Sequence, residues 1–216
     1  MSFRRYILAS RSPRRLELLR QIVHPELIEV RPPDTADEAG FGDCCDVDSI
    51  RSRLLEIARK KSEQVRLLLN AEEASLHELP RTLLISADTT VVITDRETPL
   101  VLENPPDHDE WREVVSDWFR HHYAGRTHSV ITAIFVTTPD GRSAGQLVET
   151  RVTFHLDVDR WLNWYLLTGE PRGKAGGYAL QGAGSVFIER VEGSLSNVVG
   201  LPLEALLELF ADMRLK

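Results

Sequence analysis

The stretch ILASRSPRRLELL, Ile7 to Leu19, decides how the chain begins to fold. Ile7 and Leu8 close a short apolar strand, and Leu16, Leu18 and Leu19 follow at helical spacing. Between them stand Ser12 and Pro13. Ser12 suits the N-cap, where its hydroxyl accepts a bond from a free first-turn N–H. Pro13 suits the first helical position, where a missing donor costs nothing. Arg14 and Arg15 then fall in the first turn, which already carries partial positive charge. Stability alone would favour acids there. Two cations make sense if an anion is held by free N–H groups, hydroxyls and guanidinium forks. The alternative is a surface helix with two solvated arginines.

Outward from this unit, strands and helices alternate. Leu27 to Val30 reads as a second short strand, and Pro32 to Asp46 as a loop rich in Pro, Gly and acid. Ile50, Leu54, Ile57, Ala58, Lys61, Val65 and Leu68 give Val47 to Leu69 a long helical period. Residues 70–81 form a polar connection, Leu83 to Thr94 a buried strand, and Asp95 to Pro106 a turn-rich loop. Asp107 to His122 is an amphipathic helix. His128 to Thr137 and Leu147 to Leu156 are strands joined through the Pro139-Asp140-Gly141 turn. Asp157 to Leu167 is a helix, Gly169 to Gly184 a glycine-dense loop, Ser185 to Val191 a strand and Pro202 to Arg214 a final helix. Because hairpins interrupt the alternation, the fold class is α/β with a mixed, twisted sheet flanked by helices, in one domain over residues 1–216.

The chain has 216 residues, 42% of them hydrophobic, and a formal net charge of -7. That composition is globular and argues against a general nucleic-acid-binding face. It leaves room for a local basic pocket, which stands out more on an acidic background. No apolar run approaches the roughly 20 residues of a membrane span, and MSFRRYILAS is too short in apolar residues for a signal peptide. Cys44 and Cys45 are adjacent, and no other cysteine exists to pair with them. A reducing, cytoplasmic compartment is expected. No cysteine–histidine spacing suggests zinc.

Three further segments carry candidate chemistry. In ISADTTVV, Asp88 interrupts an apolar strand. A buried carboxylate is costly unless paired, hydrogen-bonded or bound to metal, so Asp88 is a metal ligand, a general base, or merely a strand-end cap. In IARKKSEQV, Lys61 falls on the apolar stripe of its helix. It either snorkels outward or points inward to neutralise phosphate. In GEPRGKAGGYALQGAGSVFIERVEGSLSNVVGLPL, five glycines between Gly173 and Gly184 let backbone approach a ligand closely. There Lys174 could meet a phosphate, and Tyr178 and Gln181 could read a base. Neither a P-loop nor a Rossmann pattern is present.

Together with AGRTHSVITAI, these ordered motifs resemble the Maf family of nucleoside triphosphate pyrophosphatases, from Ile7 to about Leu209. The resemblance implies a fold related to the inosine-triphosphatase superfamily, with two lobes around a cleft. It implies cleavage of nucleoside triphosphates to the monophosphate and pyrophosphate with a divalent metal, Mg²⁺ or Mn²⁺. Ser10, Arg14, Arg15, Lys61 and Lys174 would be substrate-binding. Asp88 would be the base and a metal ligand, and Glu38 of the DEAG segment a second metal ligand. Gln181 matches the glutamine of the family's GYAIQG motif, in the form similar to the dTTP and UTP subgroup. Two positions depart from the family pattern. Asn104 stands where a lysine is usual, and Gly173 where an aspartate is frequent. The partner expected is the nucleotide; no nucleic acid or membrane is expected, and a homodimer is compatible. The rival reading is a catalytically weak nucleotide-binding regulator linked to cell division.

Overall fold

The structure is a computed structural model describing residues 3–34, 40–72, 81–95 and 98–215. Along the chain, β1 (Arg5–Leu8) leads into α1 (Pro13–Leu19), and β2 (Ile28–Val30) follows a short 3-10 turn. The long helix α2 (Val47–Glu72) precedes β3 (Thr82–Asp95) and β4 (Thr98–Leu102). Helix α3 (Trp111–Asp117) runs into a π-helical turn, Trp118–Tyr123, before β5 (Thr127–Thr137) and β6 (Ser143–Phe154). Then come α4 (Asp159–Thr168), the glycine-dense loop, β7 (Ile188–Glu192), α5 (Leu195–Val199) and α6 (Leu203–Leu215).

The seven strands form one mixed sheet in the order β2-β1-β3-β5-β6-β7, with β4 also on β3. β1 pairs in parallel with β2 and β3, and the other pairings are antiparallel. The sheet is therefore mixed and helix-flanked, as the alternation with hairpins requires. Three local outcomes differ from the sequence reading. Asp95 to Pro106 is not all loop, because Thr98–Leu102 pairs with Val91–Asp95. Pro99 is tolerated in that strand because an edge position need not donate a ladder bond. The β5–β6 hairpin zips directly from its turn, so β6 starts at Ser143, where Leu147 was expected. Ala183–Phe187 is a 3-10 turn, and the last strand starts at Ile188. The short helix α5 is an addition. Ser194 caps it by accepting the Asn197 N–H at 3.2 Å, and Gly200 closes it at φ 118.

Side chains alternate across β3, which sorts them between two layers. Leu84 and Val92 pack with the apolar stripe of α2, including Ile50, Leu54, Ile57 and Val65. On the opposite face, Leu83, Ile85 and Ala87 join a core with α1 and α6, including Leu19, Leu206 and Phe210. Val91 and Ile93 join a second core around Phe119, Tyr123, Phe154 and Tyr165. Between these two cores lies a polar waist. Thr89 and Thr132 hydroxyls meet at 2.9 Å, and Asn197 of α5 donates to the Val130 carbonyl and the Thr150 hydroxyl. No described helix is long and apolar enough to cross a membrane.

Candidate active site

β3 changes partners along one edge. β1 pairs with it up to Ile85, and β4 takes up the same edge from Val91. Ser86 to Thr90 lie in the notch between. Asp88 sits in the middle of that notch, on the face turned to α2. Lys61, on the buried face of α2, donates to Asp88 Oδ1 at 2.7 Å, and both side chains are about 15% exposed. Lys61 therefore points inward to the cavity and does not snorkel outward. A lysine and an aspartate set side by side at a strand gap hold their charges at the mouth of a pocket, mostly buried.

The notch opens into a cavity of about 630 Å³. Its walls are the β1–α1 turn, the centre of β3, the end of α5 and the loop from Gly173 to Gln181. Ser10, Arg14, Arg15, Lys61, Asp88, Lys174 and Gln181 all line it. Glu38 lies outside the described residues. Arg11, Thr89 and Asn104 line it as well. Arg11 carried no signal beyond its neighbours. Thr89 stands on the opposite face of β3 from Asp88, and its sequence carried no separate signal. Among the described lining side chains, Arg11, Arg14, Arg15, Lys61 and Lys174 are cationic and Asp88 alone is acidic. In a chain of net charge -7 this is a strong local reversal of sign.

The two arginines of the first turn have different surroundings. Arg15 donates to the Gly200 carbonyl at 2.9 Å and the Ala87 carbonyl at 2.7 Å, and to the hydroxyls of Thr89 at 3.1 Å and Ser10 at 3.3 Å. The Ile85 carbonyl accepts from Ala9 N–H on the β1 side. By two-residue alternation the Ala87 carbonyl faces the same edge, just beyond the reach of β1. Arg15 thus supplies the donor that a missing strand would have supplied. It also ties α1, β3 and α5 together. Arg14 makes no hydrogen bond or ion pair among the described residues. Burial pulls its pKa down, against the attraction of Glu170, Tyr165 and Glu17. Burial and the nearby Arg14 likewise lower the pKa of Lys174, against Glu170. Cations kept partly dry without a matching anion gain most from a bound one.

Ser12 caps α1 as its sequence implies, accepting the Arg15 N–H at 3.4 Å. Ser10 is buried, and its hydroxyl accepts the Ser12 N–H at 3.2 Å. Behind the cavity wall, the Tyr178 hydroxyl meets His128 Nε2 at 2.7 Å. Burial drops the His128 pKa to about 3, so its ring is neutral at neutral pH.

The donor set suits a hard cation of limited protein ligation. Asp88 is the single acid among the described lining residues, and no group of three or more His, Cys, Asp or Glu comes together among the described residues. One carboxylate beside a cluster of cationic side chains could hold Mg²⁺, which takes only one or two carboxylates and keeps several waters. It does not build the many-oxygen cage of Ca²⁺.

Comparison with known proteins identifies the family of the chain. The sequence model of the family described as Maf-like protein matches residues 5–213. A dTTP/UTP pyrophosphatase of Anaeromyxobacter dehalogenans is 38% identical over 202 residues, covering 92% of this chain and 89% of that protein. One from Brucella abortus is 35% identical, covering 95% and 90%. One from Exiguobacterium sibiricum is 36% identical, covering 91% and 86%. Among solved structures, a nucleoside-triphosphatase / dITP/XTP pyrophosphatase from Mycobacterium abscessus aligns with 11% identity and a TM-score of 0.43, covering 98% of this chain and 97% of that one.

Proposed function

The chain belongs to the Maf-like protein family, and from that membership we propose that it is a nucleoside triphosphate pyrophosphatase acting on dTTP- and UTP-type nucleotides. The observation that carries the reading is the cavity itself, five cationic side chains around one carboxylate set into a strand. A triphosphate brings about four negative charges, and attack by water is resisted electrostatically. Positioning and charge neutralisation therefore supply most of the catalysis.

In this reading Asp88 orients or deprotonates the attacking water. Water oxygen bonds to the α-phosphorus, the bond from α-phosphorus to the bridging oxygen breaks, and pyrophosphate leaves. Arg14, Lys61 and Lys174 meet the charge of the departing group, and Ser10 borders the same phosphates. Arg15 acts in that binding through the backbone it holds as well as through its charge. Gln181, which lines the cavity, would read the base. Asp88, with Glu38, would hold a divalent cation, Mg²⁺ or Mn²⁺, which supplies further neutralisation across the phosphates. The two free cysteines, Cys44 and Cys45, suit a cytoplasmic setting.

Pyrophosphate release, measured over a panel of nucleoside triphosphates with Mg²⁺ and with Mn²⁺, tests the reading. Turnover greatest with dTTP or UTP is expected. Asn104 in the cavity wall favours a second reading, a nucleotide-binding regulator with weak catalysis. Tight nucleotide binding without pyrophosphate release in either metal would establish that reading and overturn the first.

A further inference from the structure

Glu170 lies just past the C-terminal end of α4 and does not line the cavity, yet it holds the loop that does at two points. Its side chain accepts the Ala183 N–H at 2.7 Å on Oε2 and the Gly184 N–H at 2.9 Å on Oε1. These are the first donors of the Ala183–Phe187 turn, which have no partner within that turn. The Tyr165 hydroxyl stands 3.3 Å from Oε1 and 3.1 Å from the Gly177 carbonyl. The backbone carbonyl of Glu170 accepts Lys174 Nζ. One residue thus grips the segment carrying Gln181 with its side chain and the phosphate-facing Lys174 with its main chain.

The fit is close. A Cβ on Gly182 would fall on the Glu170 carboxylate and push it from its place, so glycine there lets the carboxylate close on the backbone beside Gln181. Ionised acceptors of two backbone N–H groups bind them more strongly than neutral ones. Gln181 itself is exposed to the cavity and has no hydrogen bond among the described residues that would fix it.

We propose that Glu170 is a positioning residue for nucleoside recognition: by clamping the Ala183 and Gly184 N–H groups it fixes Gln181 against the base end of the cavity. The inference rests on the nucleotide reading of the cavity. It separates two parts of binding. The negative charge of Glu170 attracts Arg14 and Lys174, so it opposes their grip on phosphate. Its clamp, in contrast, favours the nucleoside. Removing the charge therefore moves the two parts in opposite directions.

The test compares dTTP with inorganic tripolyphosphate, by calorimetry with the metal present and by steady-state kinetics. Glu170→Gln keeps the length and one acceptor but presents an N–H₂ to the second backbone donor. Its KM for dTTP should rise roughly tenfold, kcat should stay within about threefold, and dTTP should lose its advantage over ATP. Its affinity for tripolyphosphate should be unchanged or higher. Gly182→Ala should reproduce the lost discrimination with the charge still in place. Equal losses for dTTP and tripolyphosphate, together with a lower melting temperature, would reduce Glu170 to a purely structural role and overturn the inference. An unchanged KM and unchanged discrimination would do the same. Failure of the pyrophosphatase reading shows separately, as a wild-type chain that binds dTTP and releases no pyrophosphate. The binding comparison still decides the role of Glu170 in that case.

Discussion

Replacing Arg15 with alanine removes at least four hydrogen bonds at once, whereas replacing Arg14 removes none among the described residues. Helix-dipole reasoning alone predicts the same result for both changes, a stability unchanged or slightly raised. The geometry separates them. Without Arg15, the hydroxyls of Ser10 and Thr89 can turn, and Thr89 already meets Thr132. The carbonyls of Ala87 and Gly200 cannot. A buried acceptor left unsatisfied costs about 1–3 kcal/mol, and the open cavity lets water reach these two, so the total is about 2–3 kcal/mol. For a chain of this size each kcal/mol moves the melting temperature by about 2–4 °C, so Arg15→Ala should melt roughly 4–12 °C lower. Arg14→Ala relieves repulsion of about 0.3–1 kcal/mol at the helix end and loses the attraction of Glu170. Its melting temperature should stay within about 2 °C of the parent. Its affinity for tripolyphosphate should fall, and fall less at high salt, where screening has already weakened the parent. Thermal melts and titrations of the two variants side by side decide the matter. Equal melting temperatures, or a destabilised Arg14→Ala beside a native-like Arg15→Ala, would refute the assignment of a clasp to one arginine and a phosphate contact to the other.

Three other outcomes follow from the same site. Asp88→Asn keeps a side chain of the same size beside Lys61 but loses the base and metal ligand, so turnover should drop by at least about 100-fold with the fold intact; near-normal turnover in a folded variant counts against the role. Asn104→Lys adds a cation to the cavity wall and should raise kcat/KM for dTTP or UTP roughly tenfold, and a pyrophosphate-release assay showing no gain would mean the existing cations already balance the charge. His128 is held neutral, with its folded pKa about 3 against an ordinary 6.5. The unfolded chain then binds the extra proton, so stability is full above pH 6.5 and is lost as pH falls towards 3. Between pH 7 and pH 5 the loss from this one group is about 2 kcal/mol. Denaturant melts at the two pH values should show it, and His128→Gln should lose that component; an equal acid sensitivity in the variant would assign it elsewhere.

Much of the site was legible because each residue breaks a local preference. Arg14 and Arg15 are cations where a helix start favours acids, Asp88 is a charge inside an apolar strand, and Lys61 is a charge on an apolar stripe. What the sequence could not divide was labour between neighbours. Arg14 and Arg15 look alike as residues, and only the partner change along β3 shows which one meets an orphan carbonyl. The β4 strand was hidden by Pro99, which reads as a breaker although an edge tolerates it. Helix α5 was hidden by its five residues, too few to show a period. Glu170 carried no signal, because an acid after a helix is ordinary until its carboxylate is seen against two backbone N–H groups.

The partner change along β3 has a meaning for the life of the chain outside its chemistry. A bare strand edge is a template on which a foreign strand can dock, and proteins that leave one open invite self-association. Here the bare stretch is short, a charged side chain occupies its outward-facing carbonyl, and its neighbours bristle with like charges that would repel a second copy of the same surface. The side chains that would draw in a polyanion are thus the ones that would turn away another polypeptide at this edge.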